Sequence, residues 1–307
     1  METLLSLAFD NLSSFDGSKI RKGLKQVEGL LAQICLSGPS SPKKQSAGTG
    51  QPSRKVLADL SGDPAFREFF KLQEGFEWNI AQRLLTTLDW LVVRGGDGQY
   101  DLLIVNALDL IQGVLLLHPP SKALFSRSVH MNLLLDLLEP INCPAIQSAT
   151  VITLVVALLD MPQNVRVFEQ LDGLLTITSL FKSRETGREV KFRLTEFLYF
   201  YLTPETPAAP QRPSSSASSS SPSAVAANGG FAPPRSPTKV PKVFGGGAGA
   251  GAKADGSRPG SQGGGSGAGL TLSVEEKKQL VDRYLPGVVD ELLKDLDTYK
   301  PFGGVLS

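Results

Sequence analysis

The sequence predicts an all-α protein, and two patterns carry that prediction. Apolar residues recur at alternating spacings of three and four through most of residues 1–203 and again after residue 271, which is the period of an amphipathic helix. Pro and Gly stand between these runs, where they end helices because Pro lacks a backbone donor and Gly is flexible. With 41% apolar residues among 307, the chain can bury a sizeable core.

Three helices are predicted in the N-terminal part of the chain. The first covers residues 2–12, and the second is an apolar stripe with spacings of 4, 3, 4 and 3, namely Ile20, Leu24, Val27, Leu31 and Ile34. A polar loop rich in Gly and Pro follows over residues 37–53 and is predicted to be disordered. The third helix begins at Asp63-Pro64, since Asp is a good N-cap and Pro fits the first turn.

Between residues 78 and 202 the pattern predicts a succession of helices with short breaks. Apolar stripes mark the helices, and Pro119-Pro120 and Pro140 end two of them. The segment Ile146–Leu159 is rich in Val, Ile and Thr, so a β-strand is the competing interpretation. A helix is favoured because 14 residues are longer than most strands. A further helix is predicted over residues 194–202.

The sequence contains an internal repeat, in which apolar residues recur at a fixed offset. An offset of 43 residues places Phe125 on Phe168 and brings the apolar positions that follow them into register. A second match, F-x-x-x-acidic-G, relates Phe70–Gly75 to Phe168–Gly173. Helical repeats of about 40–47 residues are typical of armadillo and HEAT proteins. We therefore predict an armadillo/HEAT-like helical repeat domain over residues 1–203, with an irregular helical bundle as the alternative.

The segment 204–270 differs in composition from the rest of the chain. Gly, Ser and Pro occupy 36 of its 67 positions, so it has too few apolar residues to offset the entropy of ordering and is predicted to be a disordered linker. Order is expected to return at Ser273, which begins a capping box with Glu276. Pro286-Gly287 should split the helix that follows. The apolar face of this region predicts that residues 271–307 dock back onto the repeat domain.

The composition argues against several classes of function. Lys and Arg number 31 against 30 Asp and Glu, so no surface of the kind that binds nucleic acid is expected. Two Cys and two His are too few for a disulfide framework, a zinc module or a His-based metal site. No apolar run reaches the roughly 18 residues of a membrane helix, and the N-terminus lacks the basic region of a signal peptide. We expect an intracellular protein without membrane insertion, metal or cofactor.

No pattern of catalytic residues is found. The Gly-rich run over residues 246–253 resembles a phosphate-binding loop, but an Ala separates its last Gly from the Lys and no Ser or Thr follows. Neither Cys35 nor Cys143 has an Arg six residues later, as a cysteine phosphatase requires. His118 and His130 are interpreted as structural residues. The sequence therefore predicts a binding protein with no small-molecule substrate.

Two Ser-Pro motifs are candidate phosphorylation sites. Ser41 and Ser236 both fit S-P-x-K, the pattern preferred by cyclin-dependent kinases, and both lie in segments predicted to be disordered. A phosphate would add nearly two negative charges to a basic loop and so block an interaction or change it. Chance occurrence in a sequence rich in Ser and Pro is the alternative.

A basic cluster near the end of the repeat domain is the candidate partner-binding site. It comprises Arg184, Arg188, Lys191 and Arg193. Such a cluster can bind an acidic partner through complementary charge. An ordinary solvated helix face is the alternative interpretation.

Two segments of the repeat domain resemble a fungal protein family. These are MPQNVRVFE at residues 161–169 and KFRLTEFLYFYL at residues 191–202. Together with Phe66–Trp78, Leu285-Pro286 and Pro301–Gly304, they resemble the cell division control protein fourteen family of the septation initiation network. This family is unrelated to the phosphatase that shares its name. The resemblance covers nearly all of the chain except residues 37–53 and 204–270, and it implies no catalytic residues.

The resemblance implies a non-enzymatic regulatory or scaffold subunit. Its partner would be a protein kinase of the germinal-centre, sterile-twenty-like class, and its role would be to promote cytokinesis and septum formation after mitosis. The implied location is cytoplasmic, with recruitment to the spindle pole body. The alternative function is a helical-repeat adaptor for other cargo, such as trafficking or polarity proteins, because one fold serves many functions.

Overall fold

A computed structural model of the chain describes residues 1–36, 55, 60–95, 98–205 and 271–299. Every regular element within these ranges is a helix, which confirms the all-α class. A 3-10 helix covers Pro119–Ser126, and the α-helices are α1 (Glu2–Leu12), α2 (Gly17–Cys35), α3 (Pro64–Glu74), α4 (Ile80–Arg94), α5 (Asp101–Leu117), α6 (Ser128–Asp136), α7 (Pro144–Leu158), α8 (Pro162–Gln170), α9 (Gly173–Lys182), α10 (Arg188–Leu202), α11 (Val274–Asp282) and α12 (Val288–Tyr299).

Side-chain caps fix where several helices begin. The Asp63 carboxylate accepts hydrogen bonds from two backbone N–H groups in the first turn of α3, as its sequence predicts. Ser273 and Glu276 form the predicted capping box, in which each side chain bonds the backbone N–H of the other residue. These caps satisfy donors that the first turn of a helix leaves without intrahelical partners. The predicted split at Pro286-Gly287 is confirmed, since it separates α11 from α12.

Four long helices form the frame of the protein. α2 packs against α5, α5 packs against α7, and α7 packs against α10. α5, α7 and α10 begin at Asp101, Pro144 and Arg188, at intervals of 43 and 44 residues. Two helices precede each of α5, α7 and α10, and the 3-10 helix is one of them. The interval between the starts of α5 and α7 equals the 43-residue offset in the sequence.

The helix α7 is buried on every side. Eleven of its 15 residues are buried, and it contacts α5, α8, α10 and the 3-10 helix. A helix that is surrounded in this way has no polar face, so its sequence lacks the usual helical alternation of apolar and polar residues. This explains why the Val- and Ile-rich run also fits a buried strand. The length of the segment predicted a helix, and the structure confirms it.

Polar side chains join successive helices inside this core. The side-chain amide of Gln112 on α5 donates a hydrogen bond of 3.0 Å to the Thr153 hydroxyl on α7. The buried amide of Asn164 on α8 donates to the carbonyl oxygens of Lys122 and Ala157, both at 2.8 Å. Because these two carbonyls belong to the 3-10 helix and to α7, one side chain links three elements. The hydrogen bonds compensate the nitrogen of the Asn164 amide for its loss of water.

The turn from α8 to α9 combines a left-handed residue with a close approach. Asp172 adopts the left-handed region with a φ of 56°, and Gly173 is the first residue of α9. A Cβ atom on Gly173 would lie 2.1 Å from ring carbon Cε2 of Phe168, whose side chain is fully buried. Gly173 is therefore required for space, since any side chain there would overlap the ring.

Replacing Gly173 by Ala is expected to lower the free energy of unfolding by about 3 kcal/mol, because the buried Phe168 ring cannot move away without opening the core. Urea unfolding followed by circular dichroism measures the change. The matched control is Gly29→Ala in α2, where no atom lies within 4 Å of the new Cβ. That substitution is expected to stabilise the protein by up to about 1 kcal/mol, because Ala is the better helix former. Equal shifts for the two variants would contradict the packing described here.

Candidate partner-binding surface

The helix α10 has one buried side and one outward side. The buried side consists of Val190, Leu194, Phe197, Leu198, Tyr201 and Leu202. These side chains are directed into the packing with α7 and α9, and α11 and α12 also contact the helix. The residues between them point outward and form the candidate surface.

The structure places three of the four predicted basic residues on or beside the outward side of α10. Arg184 lies in the loop before the helix and is exposed, Arg188 is exposed in its first turn, and Lys191 is half-buried one turn later. Phe192 follows four residues after Arg188, on the same side of the helix, and its side chain is 59% exposed. An aromatic ring thus stands beside two cations. Within the part of the chain that the structure describes, no ion pair neutralises Arg184, Arg188 or Lys191.

The fourth predicted residue, Arg193, is engaged within α10 itself. Its Nη1 atom donates to a carboxylate oxygen of Glu196 at 2.9 Å. Its guanidinium carbon also lies 5.9 Å from the centre of the Phe192 ring. We therefore assign Arg193 to holding the ring in place and not to the group of free cations.

The surface is mixed in charge. Glu185 and Glu189 are exposed in the same segment as Arg184, Arg188 and Lys191, so three cations stand among two carboxylates. A surface with so small an excess of positive charge does not attract polyanions in general. Its distinguishing feature is the exposed Phe192 ring with cations beside it, and aromatic rings and Arg are enriched in specific protein interfaces. The candidate phosphorylation sites Ser41 and Ser236 lie outside the described residues.

The C-terminal helices cover the other half of α10. α11 and α12 both pack against it, and the Tyr199 hydroxyl donates a hydrogen bond of 3.0 Å to the Asp295 carboxylate on α12. Burial raises the pKa of Tyr199, and the Asp295 carboxylate raises it further, so the phenol keeps its proton and remains the donor. Tyr199 lies two turns beyond Phe192 on the same side of the helix. Among the residues that the structure describes, α10 therefore has a covered C-terminal half and a bare N-terminal half.

A buried ion pair holds α11 against the end of α10. The Lys277 ammonium lies 3.2 Å from Glu205 and donates a hydrogen bond of 2.9 Å to the carbonyl oxygen of Thr203. The side chains of Lys277 and Glu205 are only 4% and 6% exposed. The second oxygen of Glu205 accepts a hydrogen bond of 3.0 Å from the backbone N–H of Leu272. Glu205 therefore fixes both the first residues of the C-terminal segment and the helix that follows.

Two further charges complete this network. Arg166 on α8 donates to Glu205 at 2.6 Å and lies 3.0 Å from Glu169. Glu169 in turn accepts a hydrogen bond of 2.6 Å from the Tyr201 hydroxyl. Two cations and two carboxylates balance, and each is paired, which is the condition under which buried charges are tolerated. Burial lowers the pKa of Lys277 and raises the pKa of Glu169, and in each case the paired opposite charge opposes that shift.

Sequence reasoning did not identify this network. Its members come from α8, from the end of α10 and from α11, and Glu205 and Lys277 stand on opposite sides of the linker. One indication was present, because Lys277 occupies a position of the apolar stripe that continues through Val281 and Tyr284. A charged residue within an apolar stripe indicates a buried partner of opposite charge.

A small cavity borders the network. It has a volume of about 90 Å³ and is lined by residues of α8, α10 and α11 and by the turn before α8. This is well below the roughly 300–1,000 Å³ of typical ligand pockets. The cavity is large enough for a few water molecules beside the buried charges.

The two histidines occupy different environments. His118 and Ser121 are both buried, and the Nδ1 atom of His118 lies 2.8 Å from the Ser121 hydroxyl oxygen. The Phe70 ring meets the imidazole edge-on at 4.5 Å. Burial lowers the pKa of His118 to about 4, so the ring is neutral near pH 7. The Nδ1 atom of His130, by contrast, lies 2.8 Å from the Leu124 carbonyl oxygen in a half-buried site.

The described residues contain no group of three or more His, Cys, Asp or Glu side chains that could hold a metal ion. In the same part of the chain, no single helix is long and apolar enough to cross a membrane. α5 and the 3-10 helix meet those criteria only as a pair, and they are bent by 119° with respect to each other.

Comparison with known proteins finds a matching protein family and a similar protein. The family model described as "Cell division control protein 14, SIN component" matches residues 1–302. The chain is also 32% identical over 214 residues to the Cell division control protein 14 of Schizosaccharomyces pombe. This alignment covers 67% of the present chain and 80% of the relative. No solved structure gives a significant match.

Replacing Lys277 by Met is expected to lower the free energy of unfolding by about 3 kcal/mol, because the substitution leaves Glu205 buried with one charge partner fewer. Hydrogen exchange in α11 is expected to quicken at the same time. Urea unfolding and hydrogen-exchange mass spectrometry measure the two effects. The matched control is Lys278→Met, the adjacent residue, whose partner Asp290 is 71% exposed and which should change little. Indistinguishable results for the two variants would show that the network does not hold α11.

The stability of the protein is expected to fall as the pH drops from about 6.5 to about 4. The unfolded His118 takes up a proton near its ordinary pKa of 6.5, whereas the folded residue resists protonation down to about 4, so acid favours the unfolded chain. The His118→Gln variant should lose this part of the pH dependence, and His130→Gln should retain it. Thermal melting between pH 4 and 7 tests the difference. Parallel curves for the wild-type protein and the His118 variant would refute it.

Proposed function

Because the chain belongs to the family of cell division control protein 14, a component of the septation initiation network, we propose that it is a non-enzymatic scaffold or regulatory subunit in cell division. It binds a protein kinase of the germinal-centre class and thereby promotes cytokinesis and septum formation. The family supports the process in which the protein acts. The bare half of α10 is the observation that supports binding.

The α10 surface has the chemistry of a specific contact with an acidic segment. Phe192 offers an aromatic ring that is 59% exposed and steadied by Arg193. Arg188 and Lys191 stand within one turn of it with no ion pair among the described residues. Burial of an aromatic ring provides most of the affinity in many interfaces, and flanking charges select the partner and its register. The segment of the kinase that binds here should therefore be acidic and carry an apolar side chain.

We further propose that the helices form an armadillo/HEAT-like array. The 43- and 44-residue intervals between α5, α7 and α10 support this architecture, and so does the full burial of both Phe125 and Phe168. In such an array each unit is covered by the next, so the last unit requires a cap. α10 is the last long helix of the series, and α11 and α12 cap its C-terminal half. The N-terminal half is left to a partner.

The proposal extends to location and timing. We place the complex in the cytoplasm, with recruitment to the spindle pole body, as the family resemblance implies. Phosphorylation of Ser41 and Ser236 would time its assembly, since each phosphate adds negative charge to a basic segment. An adaptor for trafficking or polarity proteins would use the same kind of surface, and the identity of the bound partner distinguishes the two functions.

Reversing two charges of the surface tests the proposal. The variant Arg188→Glu with Lys191→Glu is expected to weaken binding of the purified germinal-centre kinase by about tenfold or more, because two carboxylates would replace the cations and repel an acidic segment. Isothermal titration calorimetry with the full chain measures the affinity. Phe192→Ala should weaken binding as well, through loss of the ring.

The control variant has the same change of charge on a different helix, α3. Arg67 and Lys71 are exposed one turn apart on α3, and Arg67→Glu with Lys71→Glu should bind the kinase as the wild-type chain does. Equal losses in both double variants would indicate a general effect of charge and contradict the assignment of the surface. Failure of the wild-type chain to bind the kinase would refute the proposed function.

A further inference from the structure

The turn between α1 and α2 presents an aromatic side chain in a strained position. Phe15 adopts the left-handed region with a φ of 55°, which bulky residues rarely occupy and which costs roughly 1–3 kcal/mol. Gly or Asn would relieve the strain. The ring is nevertheless 67% exposed, so burial in the core does not explain why Phe stands there.

Phe15 is the outermost of three aromatic rings. Its centre lies 5.7 Å from the ring of Trp90 on α4, and the Trp90 ring lies 5.7 Å from that of Tyr100, which precedes α5. Trp90 and Tyr100 are half-buried, so these two rings support the exposed ring of Phe15. Val93, one turn after Trp90 on α4, is 77% exposed and extends the apolar area. These side chains form an apolar patch on the protein surface, which we call the Phe15 patch.

A basic depression lies on the surface of α2, and its first lining residue, Ser18, follows Phe15 by three residues. It has a volume of about 310 Å³ and is lined by Ser18, Arg21, Lys22, Lys25 and Gln26. α2 carries four basic residues and one acidic residue, Glu28. Within the described residues, no ion pair neutralises Arg21, Lys22 or Lys25. The depression therefore keeps an uncompensated positive charge that begins three residues after the exposed Phe15.

From these features we infer that the Phe15 patch and the basic depression of α2 form a second docking surface, which binds an acidic protein segment with an aromatic or aliphatic anchor. The anchor packs on Phe15 and Val93, and carboxylates or phosphates of the segment face Arg21, Lys22 and Lys25. This surface lies on α1, α2 and α4, and it contains none of the residues assigned to the α10 surface. It extends the proposed function by giving the protein two separate sites for partners.

Charge complementarity favours a narrow protein segment as the occupant. The depression from Ser18 to Lys25 is about 10 Å long, which matches two turns of a helix or a few extended residues. Asp16 and Glu28 are exposed at its two ends. A flat anionic membrane or a nucleic acid backbone would bring negative charge against both carboxylates, whereas a short segment avoids them.

A peptide selection with the full chain tests this inference without reference to any kinase. Random peptides of about 12 residues, displayed on phage, are panned against the wild-type protein, and the enriched peptides are measured by fluorescence anisotropy. We expect enrichment of peptides that combine acidic residues with an aromatic or aliphatic anchor. Phe15→Gly should weaken their binding about thirtyfold or more, as loss of an aromatic anchor does. It should not lower the melting temperature, because Gly accepts the left-handed backbone that strains Phe.

Matched controls separate the surface from general effects. Phe76→Gly removes another ring, 85% exposed in the loop before α4, and should leave peptide binding unchanged. Arg21→Glu with Lys22→Glu should abolish binding, while Arg67→Glu with Lys71→Glu on α3 should not. The absence of acidic peptides, or their equal binding to Phe15→Gly, would overturn the inference. Sedimentation with phosphatidylserine vesicles that depends on Phe15, in place of peptide binding, would overturn it as well.

The proposed function and the second docking surface can be refuted independently of each other. If the kinase binds the wild-type chain and the Phe15→Gly variant equally while selected peptides lose affinity for that variant, both the proposed function and the second surface stand. Loss of kinase binding in the α10 variants concerns the proposed function alone. Loss of peptide selectivity for Phe15 and the α2 cations concerns the second surface alone.

Discussion

The burial of α7 on every side is the constraint on which the rest of the structure depends. A helix without a polar face is stable in water only when its neighbours enclose it, and α5 and α10 are the long helices that do so. Within the part of the chain that the structure describes, α10 is the last helix of 15 or more residues, and α11 and α12 cover only part of its outer side. The three long helices α5, α7 and α10 begin 43 and 44 residues apart. The candidate surface is the part of α10 that the described helices leave uncovered.

The C-terminal helices cover one half of α10 and leave the other half bare. Their attachment depends on charges that compensate one another, since Lys277 and Arg166 share Glu205, and Arg166 also pairs with Glu169. Buried ions of this kind add little net stability compared with an apolar contact, but they permit one arrangement and penalise others. The network therefore fixes the position of α11 on the helix. The bare half, with Phe192 and its neighbouring cations, stays available to a partner.

Local features of the fold were predictable from sequence, and long-range ones were not. The spacing of apolar residues predicted the helices, and Asp63-Pro64 and Ser273 predicted where two of them begin, because caps and periodicity act within one turn. The buried network could not be foreseen, because its residues come from distant parts of the chain. The basic cluster differs, because its missed contact is local. The sequence analysis grouped Arg193 with the other three residues, although Glu196 stands three positions later at a spacing where helical side chains pair, and the structure shows the two bonded. The strain at Phe15 also had no indication in the sequence.

Hydrogen-exchange mass spectrometry of the full chain, with and without the purified germinal-centre kinase, tests whether the kinase binds the bare half of α10. We expect slower exchange for backbone amides over residues 184–195 in the complex, with little change in the enclosed helix α7. A complex that forms without any added protection over residues 184–195 would contradict it.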